Sequence, residues 1–388
     1  MKSALAHLLL VIAGIAVGLL GVELAVRIIL PAPPIAEIAL RHVPAALRAS
    51  KPVHVPGASE TLYVKTPTGR RLRPNLSAVI ENQQQCRCRV EIRSNALGFR
   101  GPEIGAKRRT RVLFLGDSIT MADYANEAQT WVRRVEQLSL GGPVPVEAIN
   151  AGVPGIGLAN EVAILLEKGL STEPDAVVLG WYLNDAKASR GMRLFQPPPA
   201  LRVSRLAQHL WRGLSSLRGR RQQPGSKVGP IGWELWRRDA YANFPRDEAH
   251  PRGGFNASIH SNFGDWGSAW SEGAWRHMRP YFEELKRLSE VHDFELLFVA
   301  FPNRNQVRTP LLHDYPQQRL AKVAADLDVP LLDLLPPLRA AVRALAEELG
   351  RAADGSFFYD RCHYTPLGSE EIAQWIHGFL QRELGGDA

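Results

Sequence analysis

Three side chains in this sequence can together perform nucleophilic acyl chemistry: Ser118, Asp360 and His363. A serine hydroxyl is a poor nucleophile until a base takes its proton, and an imidazole needs a carboxylate to fix its tautomer and stabilise the imidazolium. Asp360 and His363 stand three residues apart in the turn Asp360-Arg-Cys-His363, between a short apolar run and the final helix. That spacing can aim both side chains the same way, giving one imidazole nitrogen to the carboxylate and the other to Ser118. A tetrahedral oxyanion further needs donors in place before charge develops. Ser118 offers its own backbone N–H, Gly155 sits in a turn where backbone can approach a ligand closely, and Asn184 brings a side-chain amide. Each residue also has an ordinary use. Asp117, Ser118 and Thr120 are helix-capping types, Asp-x-x-His often starts a helix, and glycine turns and strand-end asparagines are common.

The elements that must position them can be read from the pattern. The apolar run Val112–Leu115 leads into Gly116-Asp117-Ser118-Ile119-Thr120, which predicts a buried parallel strand ending where a helix begins, with Ser118 at the carboxyl edge of the sheet. A helix around 128–138, a strand over 144–149, a glycine-rich turn over 150–157, a helix over 158–170 and a strand over 176–181 follow. After a break, a helix over 274–291, strand 295–301, helix 313–327, strand 330–334, helix 337–349 and a final amphipathic helix resume the rhythm. Such alternation implies βαβ units and a mostly parallel α/β sheet. Every candidate in the first three motifs falls at the carboxyl end of a strand of that sheet, where open α/β folds place their chemistry.

The break, residues 186–273, is a long insertion. Its first part has no acidic residue between Asp185 and Glu234 but is rich in Arg and Lys, and Val203, Leu206, Leu210, Leu214 and Leu217 recur at three and four residues. This predicts a basic amphipathic helix that lies on an anionic membrane, lines a site for an acidic polymer, or simply docks on the domain. The second part collects Trp233, Trp236, Trp266, Trp270 and Trp275, suited to stacking on sugar rings or to holding a polar insertion together.

The chain has 388 residues, 45% hydrophobic and 22% charged, with net charge +8, which fits a globular protein with anionic surroundings. No nucleic-acid module, zinc-finger spacing or phosphate loop is present, so nucleic acid is the least supported partner, and no cofactor or metal is expected. Residues 1–30 read as a single signal anchor: the run Leu8–Val22 extends through helical neighbours to Leu30, enough for the roughly 20 residues of a span, with Glu23 and Arg27 one turn apart. A cleaved signal peptide and a buried core helix are the other readings. Residues 31–60 read as a proline-rich linker, 61–104 as a small β-rich lead-in ending in turn residues around Arg100, and 105–388 as the main domain.

With these motifs in order, the sequence resembles the SGNH/GDSL hydrolase superfamily. Gly116-Asp117-Ser118-Ile119-Thr120 looks like the first block with its nucleophile, Gly155 like the oxyanion glycine of the second, Asn184-Asp185 like the third, and Asp360-Arg-Cys-His363 like the fifth. The resemblance spans about 105–384, leaves the insertion unmatched, and implies a three-layer α/β/α sandwich with a flavodoxin-like sheet. It also implies metal-free acyl-ester hydrolysis or acyl transfer by Ser118, His363 and Asp360, with Ser118, Gly155 and Asn184 as the oxyanion hole. One departure stands out: the third block usually reads Gly-x-Asn-Asp, and here Tyr182 occupies the glycine position while Gly180 comes two residues earlier. The anchor and lead-in look like a group of membrane-anchored bacterial members, which implies an inner-membrane, single-pass protein with its catalytic domain in the periplasm. The substrate would be an O-acetyl or short-chain ester, on an exported polysaccharide or a lipid. An O-acyltransferase acting on a glycan and a non-catalytic glycan- or membrane-binding protein are the alternatives. In an exported domain, Cys362 could bridge to Cys86 or Cys88, or all three thiols stay free; a direct Cys86–Cys88 bond is disfavoured by geometry.

Overall fold

The computed structural model describes residues 2–38, 62–186, 192–218, 267–308 and 314–385. The chain opens with helix α1 (Lys2–Ile29), whose stretch Leu9–Ile29 has a mean hydropathy of 2.5 and is not buried against the rest of the molecule. A short strand β1 (Ala36–Ile38) follows, then two antiparallel hairpins, β2 (Tyr63–Thr66) with β3 (Gly69–Leu72) and β4 (Ser77–Ile80) with β5 (Val90–Arg93). Residues 63–93 thus hold two short hairpins.

The main sheet starts at β6 (Thr110–Gly116), which passes into the one-turn helix α2 (Ser118–Met121) and then α3 (Trp131–Ser139). Next come β7 (Val146–Asn150), α4 (Leu158–Ile164) and β8 (Ala176–Tyr182). The described part of the insertion holds β9 (Met192–Leu194) and α5 (Arg205–Arg218). Helix α6 (Glu272–His292), β10 (Glu295–Phe301), α7 (Tyr315–Leu327), β11 (Leu331–Asp333), α8 (Leu335–Leu349) and α9 (Pro366–Leu384) complete the chain.

Five strands form one parallel sheet in the order β11-β10-β8-β6-β7. Counted along the chain this is the flavodoxin-like order 2-1-3-4-5, and its switch point falls between β6 and β8. Strands β6, β8 and β10 are buried along nearly their whole length, because helices cover both faces and the apolar runs have no solvent side. Helix α3 packs on α9 in one layer, while α4 packs on α6 and α6 on α7 in the other. The expected three-layer α/β/α arrangement is present.

The core explains part of the tryptophan cluster. Trp270 and Trp275 are buried, and Trp275 lies 5.3 Å from Trp181 and 6.3 Å from Phe282, ring centre to ring centre. These two indoles hold the end of the insertion to the domain and do not form a sugar-stacking surface; Trp233, Trp236 and Trp266 lie outside the described residues. The start of the proline-rich stretch also packs on the domain. Strand β1 pairs antiparallel with β9, and the Ile35 N–H donates to Glu284 Oε2 at 2.8 Å. Glu284, fully buried, is itself gripped by Arg287 at 2.7 and 2.8 Å, and Arg287 donates onward to the Ala32 carbonyl at 3.1 Å.

The cysteines pair differently from the expectation. Cys86 and Cys88 are joined to each other, with Cα atoms 5.2 Å apart, and Cys362 is free. Arg87 between them adopts a left-handed backbone (φ 55°), which curls the chain enough to bring two cysteines so close in sequence within reach.

Candidate active site

The turn after β6 is built around small residues. A Cβ on Gly116 would stand 2.2 Å from Thr120 Oγ1, and one on Gly180 of β8 would stand 2.8 Å from the same atom. Both glycines are therefore required by the threonine packed between the two strands, and α2 can turn tightly over the sheet edge. Asp117 caps α2, accepting the Ile119 N–H at 2.8 Å on Oδ1. Three further contacts fix the turn: Asn150 Nδ2 donates to the Thr120 carbonyl at 2.7 Å, Trp131 Nε1 to the Ile119 carbonyl at 2.9 Å, and buried Arg100 to the carbonyls of Met121, Ala122 and Ala125 at 2.5–2.6 Å. Arg100 is thus a structural arginine at the site's edge.

Ser118 emerges from this turn partly exposed and meets the C-terminal turn. Its Oγ lies 3.0 Å from His363 Nε2, and His363 Nδ1 lies 2.7 Å from Asp360 Oδ2. The other Asp360 oxygen accepts the backbone N–H groups of Cys362 and His363, both at 2.9 Å, so the carboxylate closes the turn as well as orienting the ring. With the Nδ1 proton donated to Asp360, Nε2 is left to accept the serine proton. Tyr124 packs against the imidazole with ring centres 4.8 Å apart, and Cys362 Sγ lies 3.7 Å from His363 Nδ1.

The electrostatics follow the geometry. Burial alone would raise the Asp360 carboxyl, but the hydrogen bond and charge of His363 and the two backbone donors outweigh it and bring its pKa down to about 2. Burial disfavours the His363 imidazolium; Cys362 and the hydrogen-bonded Asp360 carboxylate oppose this and hold its pKa well above 6.5. Burial pushes the Cys362 thiol up, against the charge and hydrogen bond of His363, which lower it.

Asn184 reaches the same place from the end of β8. Its Nδ2 donates to Asp117 Oδ2 at 2.7 Å, and Ser118 Oγ lies 3.4 Å from that oxygen. The unusual Tyr182 does not disturb this. It ends β8 without a left-handed backbone, is buried, and donates its N–H to Asp185 Oδ2 at 2.9 Å, so the turn closes through an Asp185 side chain where a glycine would have closed it through backbone freedom. Gly155 lies in the exposed turn between β7 and α4 with φ +72°, the conformation for which glycine suits best. The start of that loop is pinned to β6: the Val153 N–H donates to the Gly116 carbonyl at 3.1 Å, and Gly152 sits so close to α2 that a Cβ would be 2.2 Å from Met121 N.

The structure thus brings Ser118, His363 and Asp360 into hydrogen-bond contact, joins Asn184 to them through Asp117, and puts Gly155 on a loop docked to the same turn. Sequence reading missed the wider part played by Asp117, whose second oxygen orients Asn184. It also missed Tyr124, and Asp123, a carboxyl raised by burial, lowered by the nearby charges of His363 and Arg100, and bonded to the Tyr63 hydroxyl at 3.1 Å. Glu161, beneath the site, is likewise raised well above 4.5 by burial and by Asp185 and Asp117. Its only sequence signal is a carboxylate on the apolar helix α4.

No family model matches the chain, and no curated protein matches it. Among solved structures it is similar to the acetyl xylan esterase AlAXEase, at 14% identity over 70% of this chain and 99% of that one, with a TM-score of 0.40. It is similar to TesA at 13% identity, over 70% of this chain and 98% of that one, with a TM-score of 0.37. A lipase/acylhydrolase from Enterococcus faecalis matches at 15% identity, over 70% of this chain and 96% of that one, with a TM-score of 0.34.

Proposed function

We propose that this protein is a serine ester hydrolase of the SGNH/GDSL type, anchored in a membrane by α1. The observation that carries the reading is the continuous chain of contacts Ser118 Oγ to His363 Nε2 at 3.0 Å and His363 Nδ1 to Asp360 at 2.7 Å, at the switch point of a parallel sheet. Ser118 attacks the acyl carbon while His363 takes its proton. His363 then returns a proton to the leaving alcohol, and water, activated by the same imidazole, releases the acid. Asp360 stabilises the imidazolium at each stage. The Ser118 N–H, the Gly155 N–H and the Asn184 amide hold the oxyanion. Ser118 is partly exposed at the sheet edge, and the substrate in this reading is an O-acetyl or other short-chain ester of a large alcohol such as a polysaccharide or lipid headgroup.

The apolar helix α1 and the Cys86–Cys88 bond support export of the domain, with the anchor in the inner membrane and the catalytic face in the periplasm. The test uses detergent-solubilised full-length protein with an activated acetyl ester. Wild type is expected to release acetate with formation of an acetyl-Ser118 adduct visible by mass, and Ser118→Ala to lose turnover by about 10⁴-fold or more at unchanged folding. Adding a glycan acceptor to the same incubation separates hydrolysis from transfer, since transfer gives acetylated glycan in place of free acid. Turnover undiminished in Ser118→Ala would overturn the assignment.

A further inference from the structure

Helix α1 carries two charges inside its apolar stretch, Glu23 and Arg27, and both are consumed by the insertion. Glu23 accepts from Arg27 Nε at 2.7 Å, from Ser204 Oγ and Arg205 N at 2.8 Å, and from Leu206 N at 3.1 Å. Arg27 Nη2 donates to the Val203 carbonyl at 2.6 Å. Glu23 thus caps the first turn of α5 from a different helix, taking the Arg205 and Leu206 N–H groups while Ser204 Oγ takes that of Ala207 at 3.0 Å. The capped turn lies at the level of Glu23, six residues or about 9 Å before the end of α1 at Ile29. A bare carboxylate and bare helix-end amides are both costly near hydrocarbon; together they remove each other's cost.

From that cap α5 runs beside the exit of α1. His209 contacts the Pro31 carbonyl at 3.1 Å and Arg212 meets Glu37 at 3.1 Å. Arg202, Arg205, His209 and Arg212 therefore cluster along one side of the segment, next to α1 and the chain that leaves it. Val203, Leu206, Leu210 and Leu214 form the adjoining stripe, and Val203, Leu210 and Leu214 are 76, 59 and 53% exposed. On α1, Ile28 and Ile29 are 76 and 73% exposed at the same end. An exposed apolar stripe flanked by cations, continuous with the end of an apolar helix, matches the boundary between acyl chains and anionic headgroups.

We propose that α5 is an in-plane helix, seated in the headgroup layer of the bilayer that α1 enters and locked to the anchor by Glu23. The occupant of its apolar face is an anionic phospholipid surface: Leu210 and Leu214 face the acyl chains, Arg202 and Arg205 meet lipid phosphates, and Arg212 stays paired with Glu37. This rests on the membrane-anchor reading of α1 and adds a second, separate membrane element.

The test places an environment-sensitive NBD probe on single cysteines in full-length protein carrying Cys362→Ser, reconstituted in phosphatidylglycerol/phosphatidylethanolamine vesicles. Probes go on Leu210→Cys and Leu214→Cys, with Leu19→Cys on α1 as the buried-in-lipid control and Leu140→Cys on the domain surface as the water control. Probes at 210 and 214 are expected to shift to the blue and to be quenched by a nitroxide lipid labelled just below the headgroup, more strongly than in phosphatidylcholine vesicles. Adding Glu23→Ala is expected to raise the water-exposed fraction at 210 about fivefold, the population change one lost cap produces. If 210 and 214 report water while 19 reports lipid, α5 is not a membrane element although the anchor stands. If 19 also reports water, both readings fail. A blue shift that the nitroxide lipid does not quench would mean a protein surface covers α5, which also overturns the proposal.

Discussion

The side-chain amide of Asn184 donates to Asp117 Oδ2 at 2.7 Å, tying the end of the third sheet strand to the turn that presents Ser118. One amide proton is held by a carboxylate, so the rotamer is set and the second proton projects in a fixed direction. Asn184→Ala is expected to lower kcat by about 10²–10³-fold with little change in KM, the mark of an interaction made in the transition state. Asp117→Asn should fall in kcat as well, because a neutral partner holds Asn184 less firmly. Steady-state kinetics on an aryl acetate check both, and a change confined to KM would refute the role.

The pH dependence has a definite sign. Since Cys362 and the hydrogen-bonded Asp360 carboxylate hold the His363 pKa above its ordinary 6.5, the imidazole becomes a free base for Ser118 only at higher pH than an ordinary histidine would. Activity should therefore rise with pH along a limb displaced upward from that of an ordinary histidine. Asp360→Asn should move that limb to lower pH while cutting the plateau by about 10⁴-fold. Asp360, held near 2, contributes stability at pH above its ordinary 3.8 that is lost as pH falls toward 2. A kcat/KM profile of wild type and variant measures the first effect, and acid unfolding the second.

Thiol counting tests the disulfide. Denatured, unreduced protein should carry one reactive thiol, Cys362, and reduced protein three. Mild reduction should leave ester turnover unchanged, because the Cys86–Cys88 loop lies in the lead-in while Ser118 and His363 are held by Asp360 and the turn after β6. Alkylation followed by mass measurement, with an activity assay on the same sample, checks both statements.

Thr120 sits between Gly116 and Gly180 with no room for a methyl group on either. Gly180→Ala should destabilise by about 1–3 kcal/mol through overpacking, and Thr120→Ala in the same chain should recover part of that loss. Urea unfolding of the single and double variants gives the coupling; simple additivity would show that the clash is relieved elsewhere.

Much of this was legible in the residues. Long apolar strands ending in Gly116-Asp117-Ser118 and near Asn184 announce a parallel sheet with the candidate site at one edge, since burial on both faces leaves an unbroken hydrophobic run. The Asp360–His363 spacing is legible because it is local. What could not be read is relational. That Asp117 would serve Asn184, or that Tyr124 would pack on His363, depends on which turns the sheet order brings together. Gly180 looked displaced from its motif until Thr120 was seen to need it. The Cys86–Cys88 pairing turned on one left-handed residue, Arg87, which no spacing rule foretells. The indoles at 270 and 275 carry no label distinguishing core from platform, and only the packing of Trp181 and Phe282 decides it.

The buried Glu284–Arg287 pair grips the chain at Ala32 and Ile35, a few residues after α1 ends. Prolines 31, 33 and 34 invite the picture of a leash on which the catalytic head swings, and these contacts shorten that leash almost to nothing. With α1 in a bilayer, the head has a small radius of action and a set height above the lipid, so it cannot sweep the surrounding space for esters. For the anchored esterase proposed above, this predicts substrates that arrive at that height, by diffusing along the membrane or by delivery from another protein.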